Sequence, residues 1–141
     1  MRLSTELRLF RLIVGVVVLI PLGLGPIGAF AGLEALGATL GGAETIRLDP
    51  SLRNHLRAIC LFFAGFAALV AWALGSLEAR AGAIRLALAV TLLAGLARLT
   101  GFFVDGRPGP VAIAFMTIEL VVPPLVLLWH GRLLRRLRGA A

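Results

Sequence analysis

Four long apolar runs dominate this chain and decide the solvent in which it can fold. They cover about residues 9–33, 52–74, 83–104 and 111–129, with most of the charge in the segments between and beyond them. A helix needs about 20 predominantly apolar residues to cross the hydrocarbon core of a bilayer, and each run reaches that length. Of the 141 residues, 60% are hydrophobic and only 15% charged, against about 45–50% and 25% in a soluble domain. An aqueous core could not enclose that much apolar surface. The expectation is an all-α integral membrane four-helix bundle, forming one domain over residues 1–141.

Turn chemistry sets the boundaries between the runs. Pro21 and Pro26 lie in the first run. Each removes a backbone donor and frees a carbonyl four residues earlier, so this helix should bend or end early. Glu34 to Asp49, with Gly37, Gly41, Gly42, Glu44 and Arg47, reads as a polar turn-forming linker. Asp49 suits an N-cap and Pro50 a first helical position. Gly75–Gly82 is a short loop, and Asp105-Gly106-Arg107-Pro108-Gly109-Pro110 a tight turn.

All 14 basic residues are arginine, and they orient the spans. With the N-terminus inside, the inner face holds Arg2, Arg8, Arg11, Arg80, Arg85, Arg132, Arg135, Arg136 and Arg138. The outer face holds Arg47, Arg53, Arg57 and Arg107. Nine against four favours both termini in the cytoplasm, in a multi-pass protein of the inner (plasma) membrane. Trp129 then anchors the inner interface. Because the arginines flank apolar runs, they read as topology determinants and lipid-headgroup contacts rather than as a nucleic-acid surface. The basic start, the apolar run and Ala29-Phe30-Ala31 fit the outline of a cleaved leader. The run is too long for one, so retention is expected.

Most motifs for specific chemistry fail. Gly23-Leu24-Gly25-Pro26-Ile27-Gly28 matches the spelling of a dinucleotide fingerprint, but it lies inside an apolar span and contains proline. Gly28 and Gly32 have the G-x-x-x-G spacing that lets helices approach closely, a route to self-association. His55 and His130 fall at opposite faces in this topology, so they cannot share one haem iron, and each reads as an interfacial histidine. Cys60, the single cysteine, has no partner for a disulfide within the chain. No cofactor or metal is expected.

The informative residues are the ionisable ones inside the runs. Such groups are costly in a membrane and face a bundle interior or a cavity. Arg98 lies in the third run and Glu119 in the fourth. Arg98 stands seven positions before Asp105, and Glu119 nine after Pro110. Both therefore sit roughly 10–14 Å from the connecting turn at a rise of about 1.5 Å per residue, at matched depth for a charge pair. Asn54 and Arg57 share a helix face at the start of the second run, and Asp105 lies on the Arg98 face. Gly95 and Gly101 flank Arg98 and leave room for a helix or a ligand. Pro123 frees the carbonyl of Glu119. Asn54, Arg57, Arg98, Asp105 and Glu119 are thus the candidate ligand-binding residues. Two arginines with one glutamate leave positive charge in excess unless Asp105 also turns inward, which suits a carboxylate, phosphate or carbonyl group.

At these residues the chain resembles a bacterial membrane family catalogued as domain of unknown function 4345. The resemblance is carried by Asn54-His55-Leu56-Arg57, Arg98-Leu99-Thr100-Gly101, Asp105-Gly106-Arg107-Pro108 and Glu119. It implies a four-helix membrane fold, loosely similar to DoxX-type bundles, and lends no catalytic residues.

The functional expectation is an intramembrane polar pocket near the outer leaflet that binds a small anionic or carbonyl-bearing amphipathic ligand. Whether it does catalysis is open; a buried carboxyl such as Glu119 could also carry a proton. The alternatives are a non-enzymatic assembly or partner protein whose buried charges are structural, and a small transporter. The absence of an acid between Leu9 and Leu33 counts against the transporter.

Overall fold

The computed structural model describes residues 3–39 and 50–139, and every regular element among them is a helix. Helix α1 spans Leu3–Pro26 and passes into a wider, π-helical turn over Ile27–Ala31; α2 spans Leu33–Thr39, α3 Pro50–Leu74, α4 Ala81–Val104 and α5 Pro110–Arg138. Four helices are long and apolar enough to cross a membrane: Leu3–Ala31, Pro50–Leu74, Ala81–Val104 and Pro110–Arg138. At most 28% of the most apolar stretch of any of them is buried. Leu12, Leu19, Phe62, Phe103 and Leu128 are all exposed. An apolar surface on that scale is what a multi-pass membrane protein presents to lipid.

The chain forms two compact units, Met1–Leu9 with Ser76–Ala141 and Phe10–Gly75. In the first, α4 and α5 pack side by side, joined by the turn at Asp105–Gly109. Gly106 has φ +97°, a backbone shape that only glycine adopts freely. Pro110 opens α5 at a position where its missing N–H costs nothing. In the second unit, α3 packs on the π-helical turn and on α2.

Of the two prolines in α1, only the second marks a break. The helix passes Pro21, and regular α-helix stops at Pro26. The next turn is π-helical and closes with the Gly32 amide donating to the Ile27 carbonyl at 3.1 Å. Gly32 has φ +101°, so the chain turns out of the helix at a residue without a Cβ.

Three boundaries differ from expectation. The first helix starts at Leu3 rather than near Leu9, and the last continues to Arg138 instead of ending near Trp129. Both extensions pair in space through Glu6, as shown below. The segment read as a polar linker begins with α2, because Glu34, Ala35, Leu36 and Ala38 favour helix and Glu34 sits in its first turn, where the helix dipole favours an acid. The expected cap Asp49 lies outside the described residues, as do Arg2, Gly41, Gly42, Glu44 and Arg47; Pro50 is the first described residue of α3.

Candidate functional site

Arg98 and Glu119 form an ion pair between α4 and α5. Arg98 donates from Nε to Glu119 Oε2 at 2.7 Å. Gly95 makes this approach possible. A Cβ placed there would lie 3.0 Å from both the carbonyl carbon and the Cβ of Glu119, so α4 and α5 approach closely at Glu119, one turn of α4 from Arg98. The two partners differ in exposure, 42% for the Arg98 side chain and 15% for Glu119. The acid is enclosed between the helices and the guanidinium reaches outward. The nearby hydroxyls are used within their own helices: Thr100 donates to Leu96 and Thr117 to Ile113.

Outward of the pair lies a small open cavity of about 190 Å³. It is lined by Arg98, Gly101, Phe102, Asp105, Ala112 and Met116, with the backbone turn at Gly106 and Pro108. Gly95 thus lies against α5, while Gly101 lines the cavity beside the Asp105 carboxylate. Asp105 ends α4, its amide donating to the Gly101 carbonyl at 2.8 Å. It lines the same cavity as Arg98, which offsets the positive charge expected there.

Asn54 and Arg57 belong to the other unit. Asn54 is exposed. Arg57 is half-buried and donates from Nη1 to the Ala29 carbonyl at 2.9 Å and to that of Phe30 at 3.4 Å. A π-helical turn that stops at glycine leaves carbonyls without intrahelical partners, and a guanidinium is suited to bridging two of them. Close by, Arg53 pairs with Glu34 at 3.0 Å. Arg98, Glu119 and Asp105 thus lie in one unit, and Asn54 and Arg57, with the π-helical turn, in the other.

Gly25 and Gly28 supply the close approach in this second unit. A Cβ on Gly25 would lie 2.6 Å from the Cys60 carbonyl oxygen, and one on Gly28 2.6 Å from Cys60 Sγ. Close packing along the glycine-rich stretch is thus made within the chain, by Gly25 and Gly28 against α3.

One charged cluster was not anticipated. Glu6, its side chain only 4% exposed, pairs with Arg136. It also accepts from the Trp129 indole at 3.2 Å, and Arg132 Nε stands 3.8 Å away. Trp129 therefore has a protein partner in addition to any interfacial role. Glu6 precedes the first apolar run, among Arg2, Arg8 and Arg11, so it read as part of a solvated flank. The available signal was the orientation itself, which assigns this acid and the basic tail to the same side. His130, expected at a membrane face, is enclosed by protein, with Nε2 3.3 Å from the Leu77 carbonyl oxygen. Among the described residues no three His, Cys, Asp or Glu side chains gather as metal ligands would.

The family model described as a domain of unknown function (DUF4345) matches residues 9–130. The match takes in Asn54, Arg57, Arg98, Asp105 and Glu119, and leaves Glu6, Arg132 and Arg136 outside. No curated protein and no solved structure matches the chain.

Proposed function

The chain belongs to the family described as a domain of unknown function (DUF4345), and from that premise we propose that it is an inner-membrane protein that holds a small anionic or carbonyl-bearing amphipathic ligand at Arg98. The observation that carries this reading is the way Arg98 is engaged. Its pair with Glu119 uses Nε. The side chain is 42% exposed, and it lines a cavity. A guanidinium so placed offers a planar fork for a carboxylate, phosphate or carbonyl oxygen. Phe102, Ala112 and Met116 provide an apolar wall for the rest of an amphiphile. Glu119 fixes the guanidinium from the enclosed side, since its carboxylate binds Nε and limits how the fork can turn.

In this reading the two chain ends share the inner side. Glu6 near the start and Arg136 near the end form one ion pair, and the arginine excess lies with them. With that orientation the cavity beside the Asp105–Gly109 turn opens toward the outer leaflet.

The test is mass spectrometry of lipids and small molecules that co-purify in mild detergent, with Arg98→Ala, Glu119→Gln and a swapped Arg98→Glu/Glu119→Arg double variant. A defined species present in the wild type and lost in Arg98→Ala, with the protein still folded, supports a binding site. A structural strut is the second reading, favoured by the close approach at Gly95. It predicts that both single variants fail to accumulate, that the swap restores accumulation, and that no species depends on Arg98.

A further inference from the structure

The cavity beside Arg98 carries a second charge, and that charge narrows what the ligand can be. Asp105 lies seven residues after Arg98, about two helical turns and roughly 10 Å along the axis, on the same face of α4. Both line the cavity, with Gly101 between them. A Cβ at Gly101 would stand 3.4 Å from Asp105 Oδ2, so the carboxylate lies along the strip that glycine leaves bare. Among the described residues Asp105 makes no ion pair, whereas Glu119 is already taken up by Arg98.

Counted together, Arg98, Glu119 and Asp105 carry one positive and two negative charges. A ligand with only an anionic group would gain from Arg98 and be repelled by Asp105. A ligand with only a cationic group would meet the reverse. A molecule with an anion at one point and a hydrogen-bonding cation at another satisfies both. The carboxylate of Asp105 accepts hydrogen bonds, so a primary ammonium suits it better than a quaternary one, which has no N–H to give.

We propose that the ligand is a zwitterionic amphiphile, with a phosphate or carboxylate on Arg98 and a primary ammonium group on Asp105. This rests on the reading that the cavity binds an amphipathic molecule at Arg98, and it adds the second recognition point. The shared chemistry occurs in an aminophospholipid headgroup and in its water-soluble counterpart.

The experiment uses the full chain in lipid nanodiscs and native mass spectrometry. Phosphatidylethanolamine, phosphatidylcholine and phosphatidylglycerol are compared with soluble glycerophosphoethanolamine. The expected result is that phosphatidylethanolamine is retained about tenfold better than the other two lipids, a difference the size of one good charged contact. Asp105→Asn should abolish that preference, and Arg98→Gln should abolish retention altogether. Asp105 is exposed, so its variant should keep the wild-type thermal midpoint, which is measured alongside. Retention of glycerophosphoethanolamine with the same dependence on Asp105 supports the zwitterion and identifies a soluble source. Equal retention of phosphatidylglycerol and phosphatidylethanolamine, unchanged by Asp105→Asn but lost in Arg98→Gln, overturns the zwitterion and leaves the Arg98 site standing. Retention of every lipid regardless of Arg98 overturns both.

Discussion

The indole nitrogen of Trp129 donates to Oε1 of Glu6 at 3.2 Å, across 123 residues of chain. With Arg136 on the other carboxylate oxygen, Glu6 accepts from two side chains of α5 and stands within ion-pair distance of a third, Arg132. It is 4% exposed, so the carboxylate is held away from solvent and depends on those donors. This contact ties the first turns of α1 to the end of α5 and explains why both helices extend past their apolar runs.

Glu6→Ala withdraws that shared acceptor. Arg136 and Arg132 keep side-chain exposures of 37% and 67%, so no charge is left buried and unpaired. The loss is that of charge-assisted hydrogen bonds, about 1.5–3 kcal/mol. A clear drop in the thermal unfolding midpoint in detergent is expected. Glu6→Gln keeps an oxygen for the Trp129 indole while losing the charge, so its midpoint should fall between wild type and Glu6→Ala. Equal midpoints for all three would show that the cluster contributes nothing.

Gly95→Ala tests the approach of α4 to α5. The new methyl would sit 3.0 Å from Glu119 backbone and side-chain atoms, and overpacking of this kind costs about 1–3 kcal/mol. Gly82→Ala lies on the same helix with nothing within 4 Å and should be neutral or slightly stabilising. Thermal unfolding of the two variants side by side gives the comparison. Indistinguishable midpoints would mean that the helices separate at no cost.

Gly25→Ala should destabilise the Phe10–Gly75 unit by a similar amount. Its Cβ would fall 2.6 Å from the Cys60 carbonyl oxygen and 2.8 Å from the Ala64 Cβ, and neither can swing aside as the end of a long side chain would. Gly65→Ala, with nothing within 4 Å, is the matched control on α3. A midpoint for Gly25→Ala as high as that of Gly65→Ala would argue against this contact.

Arg57→Met removes the donor that holds the Ala29 and Phe30 carbonyls. The π-helical turn should then open more often. Amide hydrogen exchange at Gly32, which bonds to Ile27, should speed up, while exchange in the middle of α4 stays unchanged. Arg57→Lys should give an intermediate rate, because an ammonium on a shorter stem is more strongly hydrated and less preorganised than the guanidinium whose Nη1 serves both carbonyls. Unaltered exchange at Gly32 in Arg57→Met would remove Arg57 from the support of this turn.

Much of the candidate site is legible before any coordinates. Arg98 and Glu119 stand out because charge is rare in apolar helices, and a fixed rise per residue makes their depths comparable. Asp105 follows from the same face count. Arg57 is legible as a polar residue at the start of α3, but its partners are not. They are backbone carbonyls, exposed only because a π-helical turn forms after Pro26, and the spelling of the chain does not announce that turn. Glu6 escapes notice for the opposite reason: a glutamate among arginines at a chain end looks solvated until α5 covers it.

The sequence by itself determined the apolar length of four helices, the turn between α4 and α5 and the matched positions of Arg98 and Glu119 along those helices. Each follows from local periodicity, turn chemistry and helix rise, which act over a few residues. Tertiary structure alone decided which glycines face a helix and which face open space, where Arg57 finds its acceptors, and that Glu6 is enclosed. Those outcomes depend on which surfaces of distant segments meet, and no local rule specifies that. The Arg98–Glu119 pair lies on the boundary between the two. Its depth was readable along the chain, but the cavity beside it exists because Gly95 draws α5 in while Gly101 leaves the next stretch of α4 bare.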